Sequence, residues 1–487
     1  MVYCPYLVLT GLTLMSTFKP SALRRLSAVL STTKTPVPAP AGISTLASFL
    51  SKTKEEYLSD IRATPSKGGK WTVVMGNEAG DLDSVASSIA FAWVHSEIQK
   101  KPCIPLIQIA RDDLNLRPEN LYALNLAGID KPHEQLLSTT DLDGIQPFPS
   151  HTFALVDHNR LGPSFSAGNK NPTVVAVIDH HEDEYLYKSA FPRHIEPAGS
   201  CSSHMANMYP TESDMPKELA DLLLCAILVD TNGLITEGKA RPVDYNAAAT
   251  LIPRSSLRDT IHATVLSSLS KDSHALFSLI PEVKQLSGTL DAKKSDVSHL
   301  GAWDLLRRDY KEYTFTLRWH PSAPSIKAGL ATVPVKLKTW GSDGRLEDAA
   351  QRWMAHQKLS VLGVLTSFRD NSWGKRGNGK HRREMAWFVR DGTETQMLPL
   401  DEVAARLWAG VEANRDVKVT RHKKMELAGV PSSVRARAYK QGNASATRKV
   451  TAPLLRSIME AEADPEPKTE QLPAPDAAVT SRGGDSS

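Results

Sequence analysis

Thr72-Val73-Val74-Met75-Gly76-Asn77-Glu78-Ala79-Gly80-Asp81-Leu82-Asp83-Ser84-Val85 decides how the rest of the chain reads. A short β-rich run ends in a glycine-punctuated acidic turn, after which Val85, Ile89, Trp93 and Ser96 fall at helical spacing. A strand that turns directly into a helix is the first half of a βαβ unit. Asp83 or Ser84 is the expected N-cap of that helix, because a short oxygen-bearing side chain satisfies the free N–H groups of a first turn.

Three more acidic segments follow apolar runs in the same way. Val156-Asp157-His158-Asn159 closes the run 153–156, Ile178-Asp179-His180-His181 closes 174–178, and Leu228-Val229-Asp230-Thr231 closes 222–229. Strands are expected at 71–76, 104–110, 152–156 and 173–178, with a buried helix over 219–228 that ends at Asp230. Between about 69 and 236 short strands alternate with helices, the pattern of a parallel α/β sheet. In such a sheet, residues just past the carboxyl ends of the strands collect in one crevice. Five carboxylates gathered there would repel one another and raise some of their pKa values unless cations lay among them.

Divalent metal therefore suits the set Asn77, Asp81, Asp83, Asp157, His180 and Asp230. Carboxylate and amide oxygens with an imidazole nitrogen serve manganese, cobalt or zinc as well as magnesium. Each aspartate alone has a plainer reading as a helix cap or turn former. The tandem His180-His181 after Asp179 at a strand end is what makes the joint reading stronger than its parts.

Composition narrows the classes. A length of 487 residues implies two to three domains. No run reaches 18 uninterrupted apolar residues, which argues against a spanning helix. Cys4, Cys103, Cys201 and Cys225 form no C-x-x-C pair, so neither a disulfide framework nor a zinc ribbon is indicated, and a reducing compartment fits. A net charge of +4 is too small to imply nucleic acid.

Residues 1–54 contain no Asp or Glu and carry Lys19, Arg24, Arg25, Lys34, Lys52 and Lys54. They read as a disordered extension or a mitochondrial targeting segment, with the cytoplasm as the first expectation for the protein itself. Residues 461–487 are rich in Pro, Glu, Asp and Ala and are expected to be disordered. Between these ends the expected parts are a parallel-sheet domain over 55–258, a helical linker over 259–272 and a smaller mixed α+β domain over 273–460. Further helices are expected at 244–252, 255–267, 273–286 and 300–308, and further strands at 313–319, 360–368 and 384–389.

Taken together, N-x-x-x-D-x-D at Asn77 to Asp83, V-D-H-N at Val156 to Asn159, D-H-H at Asp179 to His181 and the later Asp230 resemble the DHH phosphoesterase superfamily. That superfamily includes family II inorganic pyrophosphatases, exopolyphosphatases and prune-type enzymes. The resemblance covers about 70–460. Arg111-Asp112-Asp113-Leu114 and Gly199-Ser200-Cys201-Ser202 look most like the fungal exopolyphosphatases, and Arg307-Arg308-Asp309-Tyr310-Lys311 and Thr447-Arg448-Lys449-Val450 like the pyrophosphatase type of associated domain. No Gly-Gly-Gly-His element of the oligonucleotide-degrading branch is found, so nucleic acid is not the expected substrate, and no membrane partner is expected.

The resemblance implies two divalent ions, Mn2+ or Mg2+ with Co2+ as a further option. Asn77, Asp81 and Asp157 would hold one ion, and Asp83, Asp157, His180 and Asp230 the other. Asp179 would orient the histidine pair and His181 would donate to a phosphate oxygen. Lys311, Arg448 and Lys449 would bind phosphate in a cleft between the domains. Pyrophosphatases of this kind have His where this chain has Asn77, which implies weaker metal binding there. The implied activity is hydrolysis of terminal phosphoanhydride bonds of inorganic polyphosphate. Pyrophosphate or short-chain and nucleotide substrates are the alternative within the class, and a non-catalytic scaffold is the alternative outside it. The stretch Trp373 to Arg383 concentrates five Lys or Arg residues, either to guide a long polyanion or simply as an exposed loop.

Overall fold

A computed structural model describes residues 44–462, apart from 64, 271–273, 371–378 and 394–395. The chain divides into two compact units after Lys311, with Ala331–Val335 belonging to the first.

The first unit is built on a six-stranded sheet. Its strands are β1 (Thr72–Met75), β2 (Cys103–Ile107), β3 (Leu137–Ser138), β4 (Thr152–Val156), β5 (Thr173–Asp179) and β6 (Arg193–Ile195). They lie in the order β3-β2-β1-β4-β5-β6, and each neighbouring pair is parallel. This is the parallel α/β architecture expected from the alternating pattern. Strand side chains alternate between faces, so Val74 joins one apolar cluster with Ala154 and Ile178, while Val73 and Met75 join another with Phe153 and Leu155. Both faces are covered, as a wholly parallel sheet requires. The chain order reverses between β1 and β4, and a parallel sheet opens its ligand crevice at such a switch point, beyond the carboxyl ends of the strands.

Three boundaries differ from expectation. Residues 45–54, assigned above to the extension, form the first half of the helix Thr45–Ala63, in which Leu46 and Leu50 are fully buried. Lys54 takes part in this packing: its ammonium is buried, lies 3.0 Å from Asp141 and donates to Leu136 O. The local excess of positive charge concealed the apolar spacing of that helix. The expected linker and the start of the second domain also move, because the helices Ala263–Ser268, Pro281–Ser295 and Ala302–Arg308 all fall within the first unit. The helix expected over 273–286 is interrupted, and Pro281 opens a new one.

The second unit carries a mixed α+β sheet. The strands run in the order Val419–Arg421, Val434–Gln441, Lys380–Arg390, Val361–Thr366, Ser325–Val333 and Tyr310–Thr316, with Phe368–Asp370 paired to Lys380–Arg390; Tyr310, Lys311 and Ala331–Val333 of these count with the first unit. Residues 380–383, read in sequence as part of a basic loop, are the start of that long strand, while 371–378 lie outside the described residues. Arg382 pairs with Asp370 at 3.3 Å and Arg383 donates to Ala444 O, so neither cation is spare. Residues 1–43 and the tail from 463 also lie outside the described residues. No described helix is long and apolar enough to cross a membrane.

Candidate metal centre

The turn after β1 is held by close packing. A Cβ on Gly76 would lie 2.3 Å from the Ser84 Cβ, so only glycine lets the start of the helix Leu82–Trp93 approach the strand end. Gly80 has φ +57 and lies against Ile109. Asp81 is the N-cap of this helix, accepting from Ser84 N at 3.1 Å. The cap thus falls two residues before Asp83, which leaves the Asp83 carboxylate free to point elsewhere.

Asp83 is 2% exposed and reaches across to Gly199-Ser200-Cys201-Ser202. Its Oδ1 accepts from Ser200 Oγ (2.7 Å), Ser202 N (2.8 Å) and Ser202 Oγ (2.6 Å), and its Oδ2 accepts from Cys201 N (2.6 Å). Oδ2 also lies 4.0 Å from His180 Nε2.

Asp157, at the end of β4, is the hub. It takes a left-handed backbone with φ +60, a conformation Asp tolerates better than most residues. Its Oδ2 accepts from Ser84 Oγ at 2.6 Å and Asn77 Nδ2 at 2.8 Å, and its Oδ1 lies 3.2 Å from His180 Nε2. Asn77 Oδ1 is taken by Ala79 N at 3.0 Å. Asn77 thus donates to Asp157 through Nδ2, while its Oδ1 accepts from its own turn and keeps a second lone pair.

His180 is oriented by its other nitrogen, Nδ1, 3.0 Å from Ala198 O, which leaves Nε2 for the carboxylates. Asp179 binds the histidine pair through one oxygen: Oδ1 accepts from His180 N (2.7 Å), His181 N (3.2 Å) and His181 Nδ1 (2.8 Å). Its other oxygen accepts from Asn159 Nδ2 at 2.6 Å. Ligand atoms of Asp157, His180 and His181 lie within 4.8 Å of one another, close enough to hold a metal ion together. The sequence had not counted His181 as a ligand.

The electrostatics match a site for cations. Burial, with the Asp81 and Asp83 charges added, pushes Asp157 well above the usual carboxylate range. Burial and the same two aspartates push Asp230, the last residue of the helix Lys217–Asp230, up to about 7. Burial opposes a charge on His180, yet Asp157, Asp83 and Asp230 outweigh it and raise His180 to about 10. Asp179 moves the other way: burial would raise it, but His181 and Asn159 hold it at about 2. Burial likewise opposes ionisation of Asp81, but Arg117, Ser84 N–H and Lys294 lower its pKa. Upward shifts from mutual carboxylate repulsion are what a divalent ion relieves, so the donors present fit one.

The remaining candidates are placed as follows. Lys311 is half-buried at the start of the strand Tyr310–Thr316, and its charge lowers the pKa of His158, next to Asp157, along with burial. Arg448 and Lys449 open the helix Arg448–Met459 in the second unit, where Thr447 is the cap. The sequence reading missed the residues that hold the ligands: Ser84, Ser200, Ser202 and Asn159. It also missed Arg117, which donates to Ala79 O, and Asn120, which donates to Gly80 O. Ser84 adjoins Asp83 and could have been found as a second donor; nothing local marks Arg117.

Comparison with known proteins matches both parts of the chain. The model for the DHH family, N-terminal domain, matches residues 71–227, and that for the DHHA2 domain matches 288–458. A Schizosaccharomyces pombe protein assigned as an exopolyphosphatase is 31% identical over 354 residues, 67% of this chain and 81% of its own length. The chain belongs to the DHH family. Exopolyphosphatase PRUNE1 of Mus musculus is 25% identical over 84% of this chain and 80% of its own length. A Streptococcus agalactiae protein assigned as a manganese-dependent inorganic pyrophosphatase is 32% identical over 33% of this chain and 48% of its own. The DHHA2 match begins inside the helix Pro281–Ser295, which packs with the first unit of this DHH chain.

Proposed function

We propose that this DHH-family chain is a divalent-metal-dependent exopolyphosphatase that releases orthophosphate from the ends of inorganic polyphosphate. The observation that carries the reading is the convergence of Asp157, His180 and His181 within 4.8 Å at the carboxyl ends of β4 and β5, beside Asp83. The names of the S. pombe and mouse relatives support the substrate class.

Asp83, Asp157, His180 and Asp230 would hold one ion, and Asp81 with Asp157 a second. When bound, such ions lower the pKa of water and offset charge on phosphoryl oxygens. The protein's own groups do the rest. Asp179, ionised throughout the physiological range, accepts from His181 Nδ1 and so orients the ring. Nε2–H of His181 then donates to the bridging or leaving oxygen. Lys311, Arg448 and Lys449 are assigned to phosphate binding. Asn77 is assigned to positioning, since it holds Asp157 by two hydrogen bonds, one to the carboxylate and one to the backbone oxygen.

Hydrolysis of pyrophosphate is the second reading, favoured by the streptococcal match over 33% of the chain. The three described cysteines are free and buried, in keeping with a reducing compartment such as the cytoplasm. The deciding experiment measures orthophosphate released from long polyphosphate, tripolyphosphate and pyrophosphate with Mg2+, Mn2+ or Co2+. Release from polyphosphate is expected to exceed that from pyrophosphate; no release from polyphosphate with any ion rejects the first reading.

A further inference from the structure

The helix Pro281–Ser295 lies outside every motif discussed above, yet its last turn reaches the carboxylates. Lys294 Nζ is 4.0 Å from Asp230 Oδ1. We propose that Lys294 is a substrate-positioning residue of this centre: its ammonium rests against the Asp230 side of the cluster and moves to a phosphoryl oxygen when divalent ions and substrate enter. The proposal rests on the metal-dependent reading above.

Two features make Lys294 suited to such a move. Its backbone is fixed, because Lys294 O accepts from Arg308 Nη2 at 2.9 Å. Arg308 is itself buried, held by both oxygens of Glu119 at 3.0 and 3.2 Å, and donates through Nε to Leu116 O at 2.8 Å. The side chain, by contrast, is loosely held. Its ion pair lies at the outer limit of contact and 41% of the side chain is exposed, so little is lost when the pair opens. A divalent ion at Asp230 repels the ammonium, and the anionic substrate arriving beside it offers a replacement partner. Lysine suits this exchange because its compact charge sits on a flexible stem with three rotatable donors.

The test uses the full chain as wild type, K294Q and K294R. Mn2+ binding is followed by calorimetry without substrate, and tripolyphosphate hydrolysis is measured separately. In K294Q the competing ammonium is gone, so Mn2+ is expected to bind about fivefold more tightly. Its KM for tripolyphosphate is expected to rise about tenfold, with a smaller change in kcat. K294R should keep a KM near that of wild type. A purely structural role for Lys294 cannot tighten metal binding. Mn2+ uptake and KM that K294Q leaves unchanged overturn the proposal alone. Failure of the wild type to take up Mn2+ overturns the metal reading and this proposal together.

Discussion

Asp157 shows what a single residue must accomplish here. Its left-handed backbone aims one carboxylate oxygen at Ser84 and Asn77 and the other at His180. D157N keeps the shape but removes the charge that the cations require, and orthophosphate release is expected to fall below detection while the circular dichroism spectrum stays native. Removing the short Ser84 contact is milder. S84A is expected to lower metal affinity or turnover by about 10–100-fold, the usual effect of losing a group that orients a ligand, and calorimetric titration with Mn2+ checks it. Away from the centre, Asp221 gives a clean pH test. It is 6% exposed, accepts from Ser256 N and Oγ, and is pushed up to about 6 by burial. Its folded pKa lies above the unfolded value of 3.8, so ionisation costs stability that is intact below pH 4 and progressively lost as pH rises to about 6. D221N retains the acceptor oxygen and escapes that cost. It is expected to be more stable than wild type by on the order of 2–3 kcal/mol at pH 8 and equal to it near pH 3.5, as urea unfolding will measure.

At the scale of elements, the centre depends on how tightly the helix Leu82–Trp93 seats against β1. Gly76 permits that seat, and Ser84 is the side chain that meets it. G76A must push the first helical turn outward, which lengthens the Ser84 contacts to Asp157 Oδ2 and Asn77 N. The expected outcome is a loss of hydrolysis of at least tenfold together with weaker Mn2+ binding, a coupling that assays of both quantities on one preparation will show. The cap position has the same importance. The sequence pointed to Asp83 or Ser84, whereas Asp81 caps the helix and Asp83 instead receives four short hydrogen bonds from residues 200–202. Local preference treats these oxygen-bearing side chains as nearly equal caps, and the choice among them was made by a helix more than a hundred residues away in sequence.

For the whole molecule, divalent ions that bind the folded chain alone should stabilise it. An ion at about a hundred times its dissociation constant contributes about 2.7 kcal/mol, so the melting temperature is expected to rise on adding Mn2+ and to fall back with excess chelator. An unchanged melting curve would speak against the centre. The basic stretch 373–383 bears on substrate length. Arg382 and Arg383 are engaged by Asp370 and Ala444, so a guiding role would rest with Lys375, Arg376 and Lys380. K375Q/R376Q/K380Q is expected to lower kcat/KM for long polyphosphate several-fold more than for tripolyphosphate, since steering by charge grows with the charge of the partner. Equal effects on both substrates would assign the stretch to the exposed surface.

Hydrophobic periodicity alone was enough to determine the parallel sheet, because strands at 72–75, 152–156 and 173–179 are apolar runs that end in polar turns, and this pattern is written locally. The clustering of Asp157, His180 and Asp83 was also legible, since strand ends in such a sheet share one crevice. Only the tertiary structure decided which atoms face inward. It turned the Asn77 oxygen toward Ala79, enlisted Ser84, Ser200 and Ser202 as donors, and brought Lys294 to Asp230. It also drew residues 45–54 and the helices up to Arg308 into the first unit. The physical reason is one of range: periodicity and turn chemistry act over a few residues, whereas hydrogen-bond partners and ion pairs are chosen by packing between segments that the sequence keeps far apart.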